Sequence, residues 1–139
     1  MSRFATLAAL VSALTAIAIA TPIAGEDTHV LEKRVTHTGK ATYYYPGLGA
    51  CGETDSSSDP VVAISHLIYG SGGNCFQWMQ ITNPATGISQ YAKTVDECEG
   101  CGQYDIDLSP SLFESLGAPL SQGVISGVEW HFMAKGWSP

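Results

Sequence analysis

The sequence predicts an all-β domain, a small closed barrel of short strands with one short helix. Three features carry the prediction: several short runs rich in β-branched and aromatic residues, turn chemistry between them from 15 Gly and 7 Pro, and a single stretch with the punctuation of a helix. With 45% apolar residues in 139, the chain is hydrophobic enough to fold, and its length fits one domain.

Lys40, Ala41, Thr42, Tyr43, Tyr44 and Tyr45 read as the first strand, stopped by Pro46 and Gly47. Extended backbone puts Thr42 and Tyr44 on one face and Tyr43 and Tyr45 on the other. Residues 47–60 form a polar loop with Cys51 near its start. Residues 61–64 are an apolar strand, followed at 65–73 by a helical turn or a loop ending in glycines. Residues 76–82 alternate as a third strand, Asn83, Pro84 and Gly87 supply a turn, and residues 88–96 return as its hairpin partner. Ser109 as N-cap, Pro110 in the first turn and Gly117 at the end delimit a two-turn helix. Val124, Ile125 and residues 128–133 close the chain as β structure, with a bulge expected at Gly127.

Ahead of this domain the chain reads as targeting sequence. Arg3 precedes a run of small and apolar residues ending in Ala18, Ile19 and Ala20, the pattern signal peptidase accepts, so residues 1–20 are read as a signal peptide. The run falls short of the ~20 apolar residues of a membrane anchor and is broken by Thr6, Ser12 and Thr15. Residues 21–34 have no apolar period and end in the dibasic pair Lys33, Arg34, which marks a pro-segment; a plain disordered tail is the alternative. The folded domain is then 35–139. It is expected to be secreted, extracellular, monomeric and free of membrane once the signal is removed.

Six Lys and Arg against 13 Asp and Glu give a net charge of −7, which leaves no basic face for a phosphate backbone and excludes nucleic acid as a partner. All four cysteines, Cys51, Cys75, Cys98 and Cys101, lie in the folded domain. An even count behind a signal peptide favours two disulfides, for which three pairings exist. Cys98 and Cys101 have the spacing of zinc ligands, but Cys51 and Cys75 form no second close pair, so no metal and no other cofactor is expected. His37, His66 and His131 show no ligand spacing and are read as structural or solvent-exposed.

The stretch Val95, Asp96, Cys98, then Asp107, Leu108, Ser109, then Phe113, Leu116 and Gly117 resembles the Val-x-Asp-x-Cys … Asp-Leu-Ser … Phe … Leu-Gly core of double-psi β-barrel proteins. That is the fold of expansins, of bacterial rare-lipoprotein-A-like proteins and of family 45 endoglucanases. Ala41, Thr42 and Tyr44 resemble the opening strand of that fold, Gly49 to Gly52 its first Cys loop, and Trp130, His131 and Phe132 its closing strand. The pattern is most similar to the single-domain, secreted fungal expansin-related group that includes loosenins. With six residues after Met133, the second domain of plant expansins is not expected. The resemblance implies a six-stranded barrel, site residues at Thr42, Tyr44, Asp96 and Asp107, and disulfides Cys51–Cys75 and Cys98–Cys101. Where the family has His-Phe-Asp, this chain has Asp105, Ile106 and Asp107, so a role needing that His is in doubt.

Glycosidic cleavage uses two carboxyl groups, one protonated to donate and one ionised. Asp107 is the candidate acid, its pKa expected to rise through the charges of Asp96 and Asp105. Family 45 enzymes carry the base in a Thr-x-Tyr-x-Asp opening strand, and this chain has Pro46 at that last position, so an inverting hydrolase lacks half its equipment. An acid beside Thr42 and Tyr44 instead fits the disruption of hydrogen bonds between polysaccharide chains, as the likeness to expansins implies. The plainer readings are a helix N-terminal acid for Asp107, a loop carboxylate accepting backbone N–H groups for Asp96, and a solvated acid for Asp105. Tyr43 and Tyr45, with Trp78 nearby, offer flat surfaces for stacking on sugars; core packing is the plainer role.

The expected function is non-hydrolytic binding and loosening of a cell-wall polysaccharide, cellulose, chitin or a related glycan. The alternatives are weak glycan cleavage through Asp107, as an endoglucanase or lytic transglycosylase, and a protease-inhibitor or plant-interaction module with residues 47–60 as its contact surface.

Overall fold

The computed structural model describes residues 34–139, so the signal peptide and nearly all of the pro-segment read from the sequence lie outside the described residues. Six strands, β1 (His37–Tyr43), β2 (Val61–Ser65), β3 (Trp78–Thr82), β4 (Ser89–Cys98), β5 (Ile106–Leu108) and β6 (Ile125–Phe132), close into a barrel in the order β1-β5-β2-β4-β3-β6. β1 runs parallel to β5 and β2 parallel to β4, and the other four pairings are antiparallel. This is the six-stranded double-psi β-barrel.

Strand alternation builds the interior. Val62 and Ile64 of β2, Met79 and Ile81 of β3, Ile106 and Leu108 of β5, and Val128 and Trp130 of β6 are all fully buried in one cluster. Each large side chain so placed contributes about 1.5–3 kcal/mol. The predicted helix forms as α2 (Pro110–Ser115), whose buried Leu112 and Phe113 join that cluster. A shorter helical turn, α1 (His66–Tyr69), stands where the sequence left a turn or a loop open. The hairpin is β3 paired with β4, and the buried Asn83 amide in its turn donates to Leu116 O at 2.9 Å, tying the turn to the end of α2.

Some local expectations shift. β1 starts at His37, ahead of Lys40, and ends at Tyr43, although Tyr44 N still donates to Leu108 O at 2.9 Å. β3 starts at Trp78, because Phe76 adopts a φ of 65°, a left-handed backbone that no strand continues. Ser109 occupies the N-cap position of α2, but its hydroxyl donates to Asp59 O at 2.6 Å and caps nothing. The bulge expected at Gly127 is present: Gly39 and Ala41 of β1 face Val128 and Ile125 of β6, leaving one additional residue on β6 where Gly127 takes a φ of 68°.

Both disulfides join the pairs the family resemblance implies, Cys51–Cys75 and Cys98–Cys101. The first spans 24 residues and fastens the 47–60 loop to the segment before β3. Replacing Cys51 and Cys75 together with Ser is expected to cost about 3 kcal/mol and to lower Tm on the order of 15 °C. Thermal unfolding followed by circular dichroism checks this, and an unchanged Tm would contradict a stabilising role for the bridge.

Candidate functional site

The barrel register brings the predicted site residues together. Thr42 of β1 lies abreast of Asp107 of β5, Asp107 abreast of Ala63 of β2, and Ala63 abreast of Asp96 of β4. Alternation turns Thr42 and Asp107 away from the core side on which Ala41, Ile106 and Leu108 are buried. Asp96 needs one more device. β4 carries Ala92 in the core and Thr94 fully buried, so uninterrupted alternation would aim residue 96 inward as well. The register slips between Val62, paired with Thr94, and Ala63, paired with Asp96; Val95 is the additional residue, and this bulge returns Asp96 to the outer face.

The 47–60 loop holds that bulge in place. Cys51 N donates to Val95 O at 3.1 Å, and a Cβ on Gly49 would collide with the same carbonyl, so only glycine lets the loop approach. Asp96 Oδ1 accepts from Ala50 N and from Glu97 N, each at 2.8 Å. The backbone-binding role read for Asp96 is therefore met, on a strand and not in a loop. Asp107 likewise lies in β5, ahead of the helix N-terminus.

Thr42 Oγ1 donates to Asp107 Oδ1 at 2.9 Å. Asp107 titrates above the ordinary carboxylate range, chiefly because it is partly buried; Asp96 adds to the rise, and the Thr42 hydrogen bond works against it. Asp105, expected to share in that effect, plays no part. Its carboxylate accepts from Lys40 N at 2.8 Å and from Gly102 N at 3.3 Å, two residues before Asp107, and is partly shielded from solvent. Tyr44 follows on the face of Thr42, and its hydroxyl is buried with no well-formed hydrogen bond among the described residues. Burial first, then the charges of Asp96, Asp107 and Asp55, push its ionisation well above the usual phenol value, so it is a protonated donor at every physiological pH.

Asp55 is the site residue that sequence reasoning missed. The loop turns back at a bridge between Leu48 and Thr54 and places Asp55 where its charge acts on the Tyr44 phenol. Its Oδ2 is buried with no well-formed hydrogen bond among the described residues, and burial, then the neighbouring Glu53, raises its pKa. No local motif marks it; the one available signal was an acid shortly after the opening strand, in a chain that has Pro46 where the family 45 pattern carries its Asp.

The predicted aromatic platform separates into parts. Tyr43 packs on Phe113 at 5.2 Å against the core, and Tyr45 stands edge-on to Tyr43 at 6.2 Å, 71% exposed. Trp78 lies abreast of Lys93, itself abreast of Val61, and lines a separate cavity further along the same outer face. Among the described residues no cluster of His, Cys, Asp or Glu is arranged to hold a metal ion.

The chain is 35% identical to a papain inhibitor of Streptomyces mobaraensis, over 94% of this chain and 92% of that protein. The solved structure of a Streptomyces papain inhibitor superposes with a TM-score of 0.58 at 31% identity, covering 71% of this chain and 94% of that one. A Clavibacter michiganensis expansin, solved with cellohexaose, shares the fold at a TM-score of 0.66 and 24% identity, covering 76% of this chain and 54% of that chain. Expansin-like protein 1 of Dictyostelium discoideum is 28% identical over 78% of this chain, which spans only 42% of that protein. No protein-family model matches. The chain belongs to the family of the Streptomyces papain inhibitor and shares its double-psi β-barrel fold with expansins.

The raised pKa of Asp107 carries a signed consequence. A carboxyl that titrates higher folded than unfolded contributes fully below its unfolded pKa and loses that contribution as pH rises through the folded value. Asp107→Asn, which keeps an acceptor for Thr42, is therefore expected to raise Tm at neutral pH, with the gain vanishing in acid below the ordinary carboxylate range. A Tm difference that is flat across that range would contradict the burial of the charge.

Proposed function

We propose that this is a secreted polysaccharide-binding protein of the loosening type, similar to single-domain loosenins, acting on cellulose or chitin without breaking glycosidic bonds. The observation that carries the reading is the outer-face row of Thr42, Asp107 and Asp96 with the unpartnered Tyr44 hydroxyl beside it. Polysaccharide chains adhere through ranks of hydroxyl groups. A face with a protonated phenol, a Thr hydroxyl and two carboxyls supplies donors and acceptors that exchange for those interchain bonds one by one, and an unpartnered buried hydroxyl gains most from the exchange. The cellohexaose bound by a Clavibacter expansin of this fold supports the substrate class. Two disulfides fit an oxidising, extracellular setting.

A second reading, inhibition of a papain-type protease, is favoured by the likeness to the papain inhibitor across nearly the whole of both chains. Leu48 and Tyr45, 75% and 71% exposed on and beside the braced 47–60 loop, would be its contact residues.

Incubation with amorphous cellulose and with chitin, followed for protein depletion, fibre dispersion and soluble sugar, tests the proposal. Depletion and dispersion without sugar release are expected, with dispersion reduced at least about tenfold in a folded Asp107→Asn variant. Sugar release that disappears in Asp107→Asn would make the protein an enzyme. Inhibition of papain without glycan binding would transfer the function to the second reading.

A further inference from the structure

Beyond the row lies a cavity of about 280 Å³ lined by Glu53, Thr54, Asp55, Asp59, Pro60, Val61, Trp78 and Lys93. It shares the outer face of the barrel with the row, since Val61 stands two residues before Ala63 on β2, and Asp55 borders both the cavity and Tyr44. It has room for one sugar ring, with Trp78 as an apolar wall.

Its charges are unbalanced. Among the described residues lining it, the single cation is Lys93, which is ion-paired with Glu53 and leaves two further carboxyl groups against one positive charge. Asp59 accepts from Ser56 N at 2.6 Å and Ser56 Oγ at 2.8 Å, which holds its pKa below the usual carboxylate value and keeps it ionised. Asp55 presents an oxygen that is buried and has no well-formed hydrogen bond among the described residues, and burial and then the charge of Glu53 raise its pKa, so it is the carboxyl whose ionisation a bound ammonium group would favour. Two carboxyl groups beside an aromatic wall, unmatched by any free cation, are the surroundings in which an ammonium group is held by charge-assisted hydrogen bonds and by the indole face.

We propose that this cavity is a subsite for a cationic amino sugar, so that the groove prefers glucosamine-containing, partly deacetylated chitin over neutral glucans. The inference rests on the polysaccharide reading above and gives that reading its substrate class.

The test is calorimetric titration just below neutral pH with three oligosaccharides of equal length: glucosamine, N-acetylglucosamine and cello-oligomers. The glucosamine oligomer is expected to bind about tenfold more tightly than either neutral one, with a preference that weakens as salt is raised. The preference should collapse in folded Asp55→Asn and Asp59→Asn variants. It should persist in Glu114→Gln, which removes the same charge from the exposed side of α2, and this separates the cavity from the general acidity of the domain. Trp78→Ala should weaken the glucosamine oligomer without abolishing its salt dependence. Equal affinity for cationic and neutral oligomers, or a preference lost equally in Glu114→Gln, would overturn the subsite and leave the polysaccharide reading standing. Failure of every oligomer to bind would overturn both.

Discussion

One additional residue on β4 governs this site. The slip at Val95 makes β4 meet β2 with its outer and inner positions exchanged, and without it Asp96 would point at the apolar cluster that β2, β3 and β5 fill. The bulge exposes a carbonyl that has lost its place in the sheet, and the 47–60 loop satisfies it through Cys51 N. From that contact follow the need for glycine at position 49, the two backbone bonds to Asp96, and the route that brings Asp55 to Tyr44. The Cys51–Cys75 bridge and the Ser109 hydroxyl on Asp59 O secure the loop at either end. Loop and bulge thus stabilise one another, and the row of polar groups is their joint product.

The site is arranged at some cost to the fold. Tyr44 carries a buried hydroxyl without a partner, Asp55 a buried carboxylate oxygen, and Asp107 a charge that burial disfavours. Each would be less costly as an apolar side chain. Groups kept unsatisfied on one side of one surface are what a ligand rich in hydroxyl groups relieves, which is the physical link between the stability of this barrel and its proposed work.

Much of this was legible in the sequence. The hairpin around Asn83, the helix from Pro110 and the strand at Val61 carry local signals of turn residues, caps and apolar runs, and these elements appear where expected. β5 has three residues, too few to show a period, and was reachable only through the family resemblance. The partnership of Thr42, Asp96 and Asp107 likewise came from motif order, because it depends on register across four strands. What escaped was set by tertiary placement: the bulge at Val95, the burial that outweighs neighbouring charge at Asp107, the diversion of Asp105 to Lys40 and Gly102, the approach of Asp55, and the left-handed turn at Phe76.

On the proposed reading, one outer face, built on the Val95 bulge, is where the protein meets its polymer. Backbone amide shifts recorded during titration with a soluble chito- or cello-oligosaccharide test it most directly. Perturbations concentrated at Thr42, Tyr44, Ala50, Asp96 and Asp107 are the predicted result. A map centred instead on α2 and the hairpin turn at Asn83, with those residues unmoved, would contradict the account.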